Sequence, residues 1–216
     1  NLERFFLSQD GASVQFWYEP RGKLTAIFSV KERRLTDSLS VLWTSLKAAF
    51  TFHKPITEGL GVTDWKGSES PKLNGKPLPL LKNEPCHSLA IKPDSSGFLL
   101  GTSLTLRLFD PAGKESWRVI TPGAAWCVNT NGRLAVAALG DGTIRWYRVS
   151  DGKEVLAFFP HPDRKRWVLW TPSGYYAASP GGEDFIGWHV NHGRDQAADF
   201  FPASRFRSTY YRPDVI

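Results

Sequence analysis

The stretch that decides the fold is RWVLWTPSGYYAASPGGEDFIGWHVN, from Arg166 to Asn191. It holds three short apolar runs rich in aromatic or β-branched residues: Trp167 to Trp170, Tyr175 to Ala178 and Phe185 to Trp188. The segments between them favour tight turns, because Pro fixes φ and Gly admits positive φ. The stretch therefore predicts a three-stranded meander. With Ala197 to Phe201 as a fourth strand, it has the size of one β-propeller blade.

Two features of this unit recur upstream. An aromatic residue ends the third predicted strand of each unit, at Trp17, Trp65, Phe109, Trp146 and Trp188. A Gly followed by a cation lies in the next turn, at Gly22-Lys23, Gly75-Lys76, Gly113-Lys114, Gly152-Lys153 and Gly193-Arg194. The aromatic residues are spaced close to the period of about 40–45 residues typical of WD-type blades. The recurrence predicts a repeat protein.

The predicted fold class is all-β: a WD-repeat-like β-propeller of four-stranded antiparallel blades, four complete blades plus a partial or terminus-closed fifth. Residues 1–216 are predicted to be a single β-propeller region, part of a longer polypeptide because the chain starts at Asn1 and contains no Met. The approximate blades are 1–30, 39–81, 87–120, 124–159 and 166–201, and 202–216 is a tail or closing strand.

Several local expectations follow from this blade map. Residues 1–7 are expected to be the second strand of a blade that lacks its first, and Lys31 to Ser38 a connecting loop. Ser40 to Thr44 and Ala48 to Phe52 are expected to be strands, although the residues between them have helix propensity. Phe206 to Tyr211 would return as the missing first strand, because closing the ring removes exposed edges. The alternative is that the chain is the carboxy-terminal portion of a larger propeller.

Two segments resemble the WD-repeat family: AIKPDSSGFLLGTSLTLRLFD, from Ala90, and LAVAALGDGTIRWYRVSDGKEVLAFF, from Leu134. Only Phe109-Asp110 approximates the family's terminal Trp-Asp pair, and the Gly-His signature is absent. The resemblance implies a turn Asp before the third strand, which matches Asp141 and, by position, Asp10 and Asp184. Its His partner is not evident.

The tail from Trp170 to Ile216 resembles the end of the degenerate propeller of large bacterial proteins that continue into a caspase-like peptidase domain. The resemblance spans the last three predicted blades. It implies that any chemistry of the full polypeptide lies beyond residue 216, because no stretch of the chain matches the His–Cys motifs of such a site.

Composition narrows the class of protein. The chain has 216 residues and a net charge of +6, which in principle attracts acidic partners. No apolar run reaches the roughly eighteen residues of a membrane helix. Cys86 and Cys127 fall in or beside inner strands, so two buried free thiols are favoured over a disulfide. Two free cysteines are compatible with a reducing compartment, and a cytoplasmic location is expected.

No catalytic, cofactor-binding or metal-binding residues are predicted. His189 and His192 have no Cys or acidic residue at a metal-ligand spacing, and the apolar flanks of both cysteines favour core packing over nucleophilic catalysis. The aromatic residues at the repeat positions are expected in the core. Five further tryptophans become candidate hot spots if they are exposed: Trp43, Trp117, Trp126, Trp167 and Trp170.

Loops on one predicted face give a candidate partner-binding rim for an acidic protein segment, formed by Arg33, Arg34, Lys54, His161, Arg164, Lys165 and Trp167. The alternative is a merely solvated rim. The function predicted from the sequence is a non-catalytic interaction scaffold, or a regulatory or substrate-recognition module, whose partner is a protein or another segment of the same polypeptide. One alternative is a hydrolase or lyase with a central-channel site, for which only His87 is suitably placed. A second is a basic nucleic-acid-binding module.

Overall fold

The computed structural model describes residues 5–19 and 23–216. The chain divides into two compact units, Asn1–Val155 and Leu156–Ile216. In the described residues of both units, antiparallel strands predominate and the helices are short. The fold is therefore all-β, as predicted.

The first sheet (sheet 1) has five antiparallel strands in the order β4-β3-β2-β1-β5. Their bounds are Phe6–Ser8 (β1), Ser13–Trp17 (β2), Thr25–Ser29 (β3), Arg34–Asp37 (β4) and Phe52–His53 (β5). Strands β1 to β4 form a four-stranded meander of consecutive strands, the arrangement of a propeller blade. Phe6–Ser8 begins this meander, and because β5 pairs on its other side it is the second strand of the sheet, as predicted.

The segment from Lys31 to Ser38 is not the connecting loop that was predicted, because it contains β4. A tight turn precedes the strand: Arg33 has φ of 48° and its amide donates to the Val30 carbonyl at 3.2 Å. Thr36 is buried as β4 pairs with β3. The prediction failed because the charged residues around the turn masked a short edge strand.

The second predicted blade differs most from the expectation. Helix α1, Trp43–Ala49, occupies the region predicted to hold the strands Ser40 to Thr44 and Ala48 to Phe52. Lys47, Ala48 and Ala49 are good helix formers, and no alternation of buried and exposed residues opposes them there. A small antiparallel sheet (sheet 2) follows, with strands Val62–Thr63 (β6), Lys72–Leu73 (β7) and Lys76–Pro77 (β8).

For the third blade the sequence predicts the strands His87 to Lys92, Phe98 to Thr102, Leu104 to Phe109 and Trp117 to Ile120, and the structure confirms each to within two residues. Sheet 3 contains Cys86–Ile91 (β9), Phe98–Thr102 (β10), Thr105–Phe109 (β11) and Glu115–Ile120 (β12), in the order β12-β11-β10-β9. Strands β10 and β11 are buried along their whole length, whereas β12 alternates between half-buried and exposed residues. That alternation marks β12 as the half-solvated edge of the sheet.

For the fourth blade the sequence predicts the strands Ala124 to Asn129, Leu134 to Leu139 and Thr143 to Arg148, with turns at Asn131-Gly132 and Gly140-Asp141-Gly142, and the structure confirms these strands to within one residue. Antiparallel pairing joins Ala125–Thr130 (β13), Leu134–Leu139 (β14) and Ile144–Arg148 (β15). The predicted hairpin turns contain Gly132 at φ of 90° and Gly142 at φ of 85°. Asn-Gly and Asp-Gly turns form here because both turns require positive φ, which Gly adopts without strain.

The inner strands of the first unit pack against one another. Ser88 Oγ on β9 donates to the Ala125 carbonyl on β13 at 2.7 Å. Asn129 on β13 donates to the His53 carbonyl on β5 at 3.0 Å. A Cβ on Gly101 of β10 would lie 2.7 Å from the Ala125 carbonyl, so only glycine fits at this contact. Blade-like meanders packed through their first strands make the fold propeller-like.

The second unit contains a three-stranded antiparallel arrangement and a separate hairpin. The three strands are Glu154–Pro160 (β16), which begins just before the unit boundary, Trp167–Trp170 (β17) and Tyr176–Ala178 (β18). The hairpin pairs Gly187–Val190 (β19) with Asp199–Pro202 (β20).

The predicted three-stranded meander from Trp167 to Trp188 is therefore wrong in its third strand. Strands β17 and β18 pair as expected, but β19 pairs with β20 instead of β18. A 3₁₀ helix, Glu183–Phe185, interrupts the path and places the Phe185 ring 5.7 Å from the Phe159 ring. Phe185, which is half-buried, therefore lies in this 3₁₀ helix and not in a strand.

The segment from Phe206 to Tyr211 is helical, so its predicted role as a closing strand is wrong. A 3₁₀ helix, Ala203–Phe206, continues into helix α2, Arg207–Tyr210. The tail packs within its own unit: the Tyr211 ring lies 5.4 Å from the Tyr176 ring, and the Arg212 amide donates to the Tyr176 carbonyl at 2.9 Å. The blade boundaries and the single ring stay predictions.

Candidate functional site

The first unit holds three of the predicted rim residues. Arg33 lies in the turn before β4, and Arg34, in β4, forms an ion pair with Glu32. Lys54 follows β5, and its Nζ lies 6.0 Å from the centre of the Phe6 ring. These cations lie near the ends of sheet 1. Glu32 partly neutralises Arg34, and the Phe6 ring lies beside the Lys54 ammonium group.

The other four rim residues lie in the second unit, on or beside the loop between β16 and β17. Asp163 organises this loop: its carboxylate accepts from the Arg166 and Lys165 amides at 2.9 Å and from Arg166 Nε at 2.6 Å. These bonds, led by the Arg166 amide, hold the pKa of Asp163 well below its usual range. Lys165 is exposed. Trp167 is only 6% exposed, so its side chain belongs to the interior.

A buried ionic cluster, missed in the sequence, is centred on Arg107 in β11 of sheet 3. The Arg107 guanidinium and the Glu84 carboxylate are both completely buried, with Nη2 2.5 Å from Oε2. Arg107 also pairs with Glu115 at 2.6 Å and donates to the Pro79 carbonyl at 3.2 Å. Burial raises the pKa of Glu84, but hydrogen bonds from Thr102, Thr105, the Leu81 amide and Arg107 outweigh it and lower the pKa overall.

A matching cluster lies in the next blade. Arg145 donates through Nε to Thr143 at 3.0 Å and through Nη1 to Glu154 at 2.9 Å, as Arg107 does to Thr105 and Glu115. The sequence signal is Thr-X-Arg followed by Gly-Lys-Glu, which occurs twice: Thr105 to Arg107 with Gly113 to Glu115, and Thr143 to Arg145 with Gly152 to Glu154. Because their donors are engaged within the fold, both arginines tie the third strand of a blade to the fourth.

The turn aspartates behave only partly as the WD resemblance implies. Asp141 accepts from the Thr143 amide at 3.0 Å and its hydroxyl at 2.7 Å. Asp10 accepts from Ser8 Oγ at 2.6 Å, the bond that most lowers its pKa. Threonine and serine thus take the place of a His partner. Asp184 lies in a 3₁₀ helix, so its assignment to this role is wrong.

Trp146, at a repeat position, and Trp126, outside the repeat series, differ in burial. Trp146 is 2% exposed and its Nε1 donates to the Gly11 carbonyl at 2.8 Å, which joins β15 to the first turn of sheet 1. Trp126, at the start of β13, is 53% exposed. Its indole lies 4.3 Å from the imidazole of His87, which is at the start of β9. Burial lowers the pKa of His87, so the ring is neutral at pH 7.

Further apolar side chains lie at the same end of sheet 3. Leu104, in the turn between β10 and β11, is 46% exposed, and Ile120, at the end of β12, is 88% exposed. The turn is fixed by backbone bonds, since the Ser103 amide donates to the Pro85 carbonyl and the Thr121 amide to the Leu104 carbonyl, both at 3.0 Å. We call His87, Trp126, Leu104 and Ile120 the strand-end patch. It is the candidate functional site.

The cysteines are free and buried, which confirms the prediction. Burial raises the pKa of Cys86 to about 12 and also raises that of Cys127, so both remain thiols at neutral pH. Across the described ranges, no group of three or more His, Cys, Asp or Glu side chains is placed to hold a metal ion. No helix among these residues is long and apolar enough to span a membrane.

Comparison with known proteins gives structural likenesses alone. No family model matches the chain, and no curated protein matches it. BamB from Moraxella catarrhalis is similar over 57% of this chain and 43% of its own, with 16% identity and a TM-score of 0.41. The computationally designed Ika4 protein is similar over 42% and 68%, with 12% identity and a TM-score of 0.33. The chain thus spans less than half of the BamB chain, and these likenesses carry no functional argument.

Proposed function

We propose that this chain is a non-catalytic protein-interaction module of a larger, cytoplasmic bacterial protein. The observation that carries the proposal is the strand-end patch, in which Trp126 is 53% exposed and its indole contacts the His87 ring at a tilt of 34°, at the end of a closely packed sheet. Tryptophan is strongly enriched among residues that dominate binding energy at protein interfaces. The contact restricts the indole before binding, so less conformational entropy is lost when a partner covers it.

The rigidity of the platform supports this role. Behind the patch, Leu89, Leu99 and Leu106 are completely buried, and Ser88 Oγ bonds to the Ala125 carbonyl at 2.7 Å. A surface held by such packing changes little on binding, which favours recognition over chemistry. The buried arginines and cysteines add no reactive group, because their polar atoms are engaged within the fold or protonated.

The partner we propose is a caspase-like peptidase domain of the same polypeptide, or a substrate that this domain cleaves. The resemblance of the tail from Trp170 to Ile216 supports this choice of partner. In this role the module recognises substrates or regulates the peptidase. The exposed cation Lys165, with Arg164 beside it, would add attraction for acidic protein segments.

The test has two parts. The coding sequence after residue 216 is read for a domain with a His–Cys pair, which the proposal expects. The full-length protein and its Trp126→Ala variant are then compared for binding of the peptidase's substrate protein and for its cleavage. Hot-spot losses of about 2 kcal/mol or more predict at least a twentyfold weaker interaction for the variant.

The matched control is Val41→Ser, which removes an apolar side chain of 95% exposure from the segment before α1. This variant is expected to bind and cleave as the wild type does. Charge reversal of Arg164 and Lys165 to Glu gives a second test, for the contribution of the loop. Unchanged binding in both Trp126→Ala and the charge-reversed Arg164 and Lys165 variant would overturn the proposal that this chain recognises the partner.

A further inference from the structure

The dipeptide Asn-Gly occurs twice in the sequence, at Asn74-Gly75 and at Asn131-Gly132. Both copies are hairpin turns, since Asn74-Gly75 joins β7 to β8 and Asn131-Gly132 joins β13 to β14. In this dipeptide the glycine nitrogen can attack the asparagine side chain, because glycine has no Cβ to obstruct the close approach. The chain therefore offers one reaction in two different environments.

The first turn is open. Asn74 and Gly75 are both exposed, and a Cβ built on Gly75 would meet no atom within 4 Å. The Asn74 backbone amide donates to the Gly61 carbonyl at 2.9 Å, but within the described ranges no hydrogen bond engages the Asn74 side chain or the Gly75 amide. Only two residue pairs hold the hairpin, and Pro77 in one of them has no N–H to donate. Both reacting groups are thus free to meet.

The second turn is closed. Asn131 and Gly132 are half-buried. The Gly132 amide donates to Thr130 Oγ1 at 3.0 Å, so it is directed at this hydroxyl and not at the Asn131 side chain. Asn131 Oδ1 accepts from the Leu134 amide at 2.9 Å, and Nδ2 donates to the Gln9 carbonyl at 3.2 Å. These bonds must break before the two groups can react, which raises the barrier.

We propose that Asn74 is a site of spontaneous deamidation in the folded protein, and that Asn131 is protected from the same reaction by its hydrogen bonds. The Gly75 nitrogen loses its proton and bonds to Asn74 Cγ, the Cγ–Nδ2 bond breaks, and Nδ2 leaves as ammonia. Water then opens the resulting succinimide at either carbonyl and gives aspartate or isoaspartate. One water is consumed and one ammonia released, without oxidation or reduction.

The modification changes both charge and backbone at the hairpin. The new carboxylate lowers the net charge of +6 by one and lies between Lys72 and Lys76 in the sequence. Isoaspartate also adds a methylene group to the backbone directly after Leu73, whose side chain is only 6% exposed and packs in the core of the first unit. This inference does not depend on the proposed function, since it concerns the hairpin alone.

Ageing of the whole chain in mildly alkaline buffer, once folded and once in urea, tests the inference. Mass spectrometry of peptides follows both sites, because the reaction replaces an amino group by a hydroxyl group and the aspartate and isoaspartate peptides elute separately. In the folded chain Asn74 should convert at least about tenfold faster than Asn131. In urea the two sites should convert at similar rates, since the protecting bonds are gone.

Asn74→Gln is the matched variant, because glutamine must close a larger ring and reacts far more slowly. It should abolish the early release of ammonia and the early acidic form on cation exchange. Equal conversion of the two sites in the folded chain, or conversion of Asn131 first, overturns the inference. Reaction of Asn74 in urea without reaction in the folded chain also overturns it, since the hairpin would then hold the Gly75 nitrogen away from the side chain.

Discussion

Replacing Glu84 by Ala should destabilise the first unit by about 3–5 kcal/mol, the cost typical of breaking a buried ion pair from one side. The carboxylate is completely buried and accepts from Thr102 Oγ1 at 2.6 Å, from the Leu81 amide at 2.9 Å and from Arg107. Without it, the buried Arg107 guanidinium keeps Glu115, the Pro79 carbonyl and Thr105 Oγ1 as partners. Its charge is then balanced by the partly exposed Glu115 carboxylate, and the loss of the completely buried counter-ion is the dominant cost.

The blade-four cluster provides the matched control. Glu154→Ala removes a carboxylate partner of Arg145 in the same way, but Glu154 and Arg145 are 22% and 17% exposed, so water reaches the guanidinium after the change. We expect a loss of about 1 kcal/mol, near the value of partly exposed pairs. Unfolding followed by circular dichroism in urea measures both free energies. Equal losses for the two variants would refute the argument from burial.

The pH dependence of stability gives an independent check on Glu84. Its pKa in the folded state is lowered from the ordinary value of 4.5. A lowered folded-state pKa contributes stability that is complete above the unfolded pKa and is lost as the pH falls through the folded value. Glu84→Gln should therefore flatten the stability profile below about pH 4.5. A profile that keeps its wild-type slope there would show that Glu84 does not titrate as argued.

Three further predictions concern single side chains. Trp146→Phe should lower the free energy of unfolding by about 1–3 kcal/mol, because it leaves the Gly11 carbonyl without its 2.8 Å bond. Trp126→Phe at the exposed site should lower it by less than about 0.5 kcal/mol. Urea unfolding that ranks the two variants otherwise would contradict this assignment. Iodoacetamide at pH 8 should label neither Cys86 nor Cys127 in the folded protein and both in urea, since the thiols are buried and Cys86 has a pKa of about 12; mass spectrometry counts the adducts, and labelling of the folded chain would show that the thiols are accessible. His87 should titrate below pH 6.5 by NMR, and Trp126→Ala should move its pKa back upward by exposing the ring; an unchanged pKa would show that the indole does not bury it.

The sequence by itself determined the strands of the third and fourth predicted blades. Their apolar runs are separated by Asn-Gly, Asp-Gly and Pro-containing turns, and Gly132 and Gly142 adopt the positive φ that such turns need. These signals are local, so they can be read without knowing what each strand packs against. The burial of both cysteines followed from their apolar neighbours for the same reason.

Tertiary structure alone decided the features that depend on distant partners. The β19 strand could pair with β18 or with β20, and the contact of the half-buried Phe185 with Phe159 and His161 accompanies the second pairing. The tail adopts helix rather than strand because its tyrosines pack on β18 and β19 within the second unit. The short apolar run of α1 fits either state, so local pattern could not settle it.

The candidate site shows the same division. The sequence named Trp126 as one of five tryptophans of unknown exposure and His87 as the histidine placed for a central-channel site. The fold brings the two rings into contact because β9 and β13 pack side by side. Glu84 and Arg107 lie 23 positions apart, and only the packing of the preceding loop against β11 brings them together. Local turns are encoded in a few adjacent residues, whereas burial and pairing depend on contacts between residues far apart in the chain.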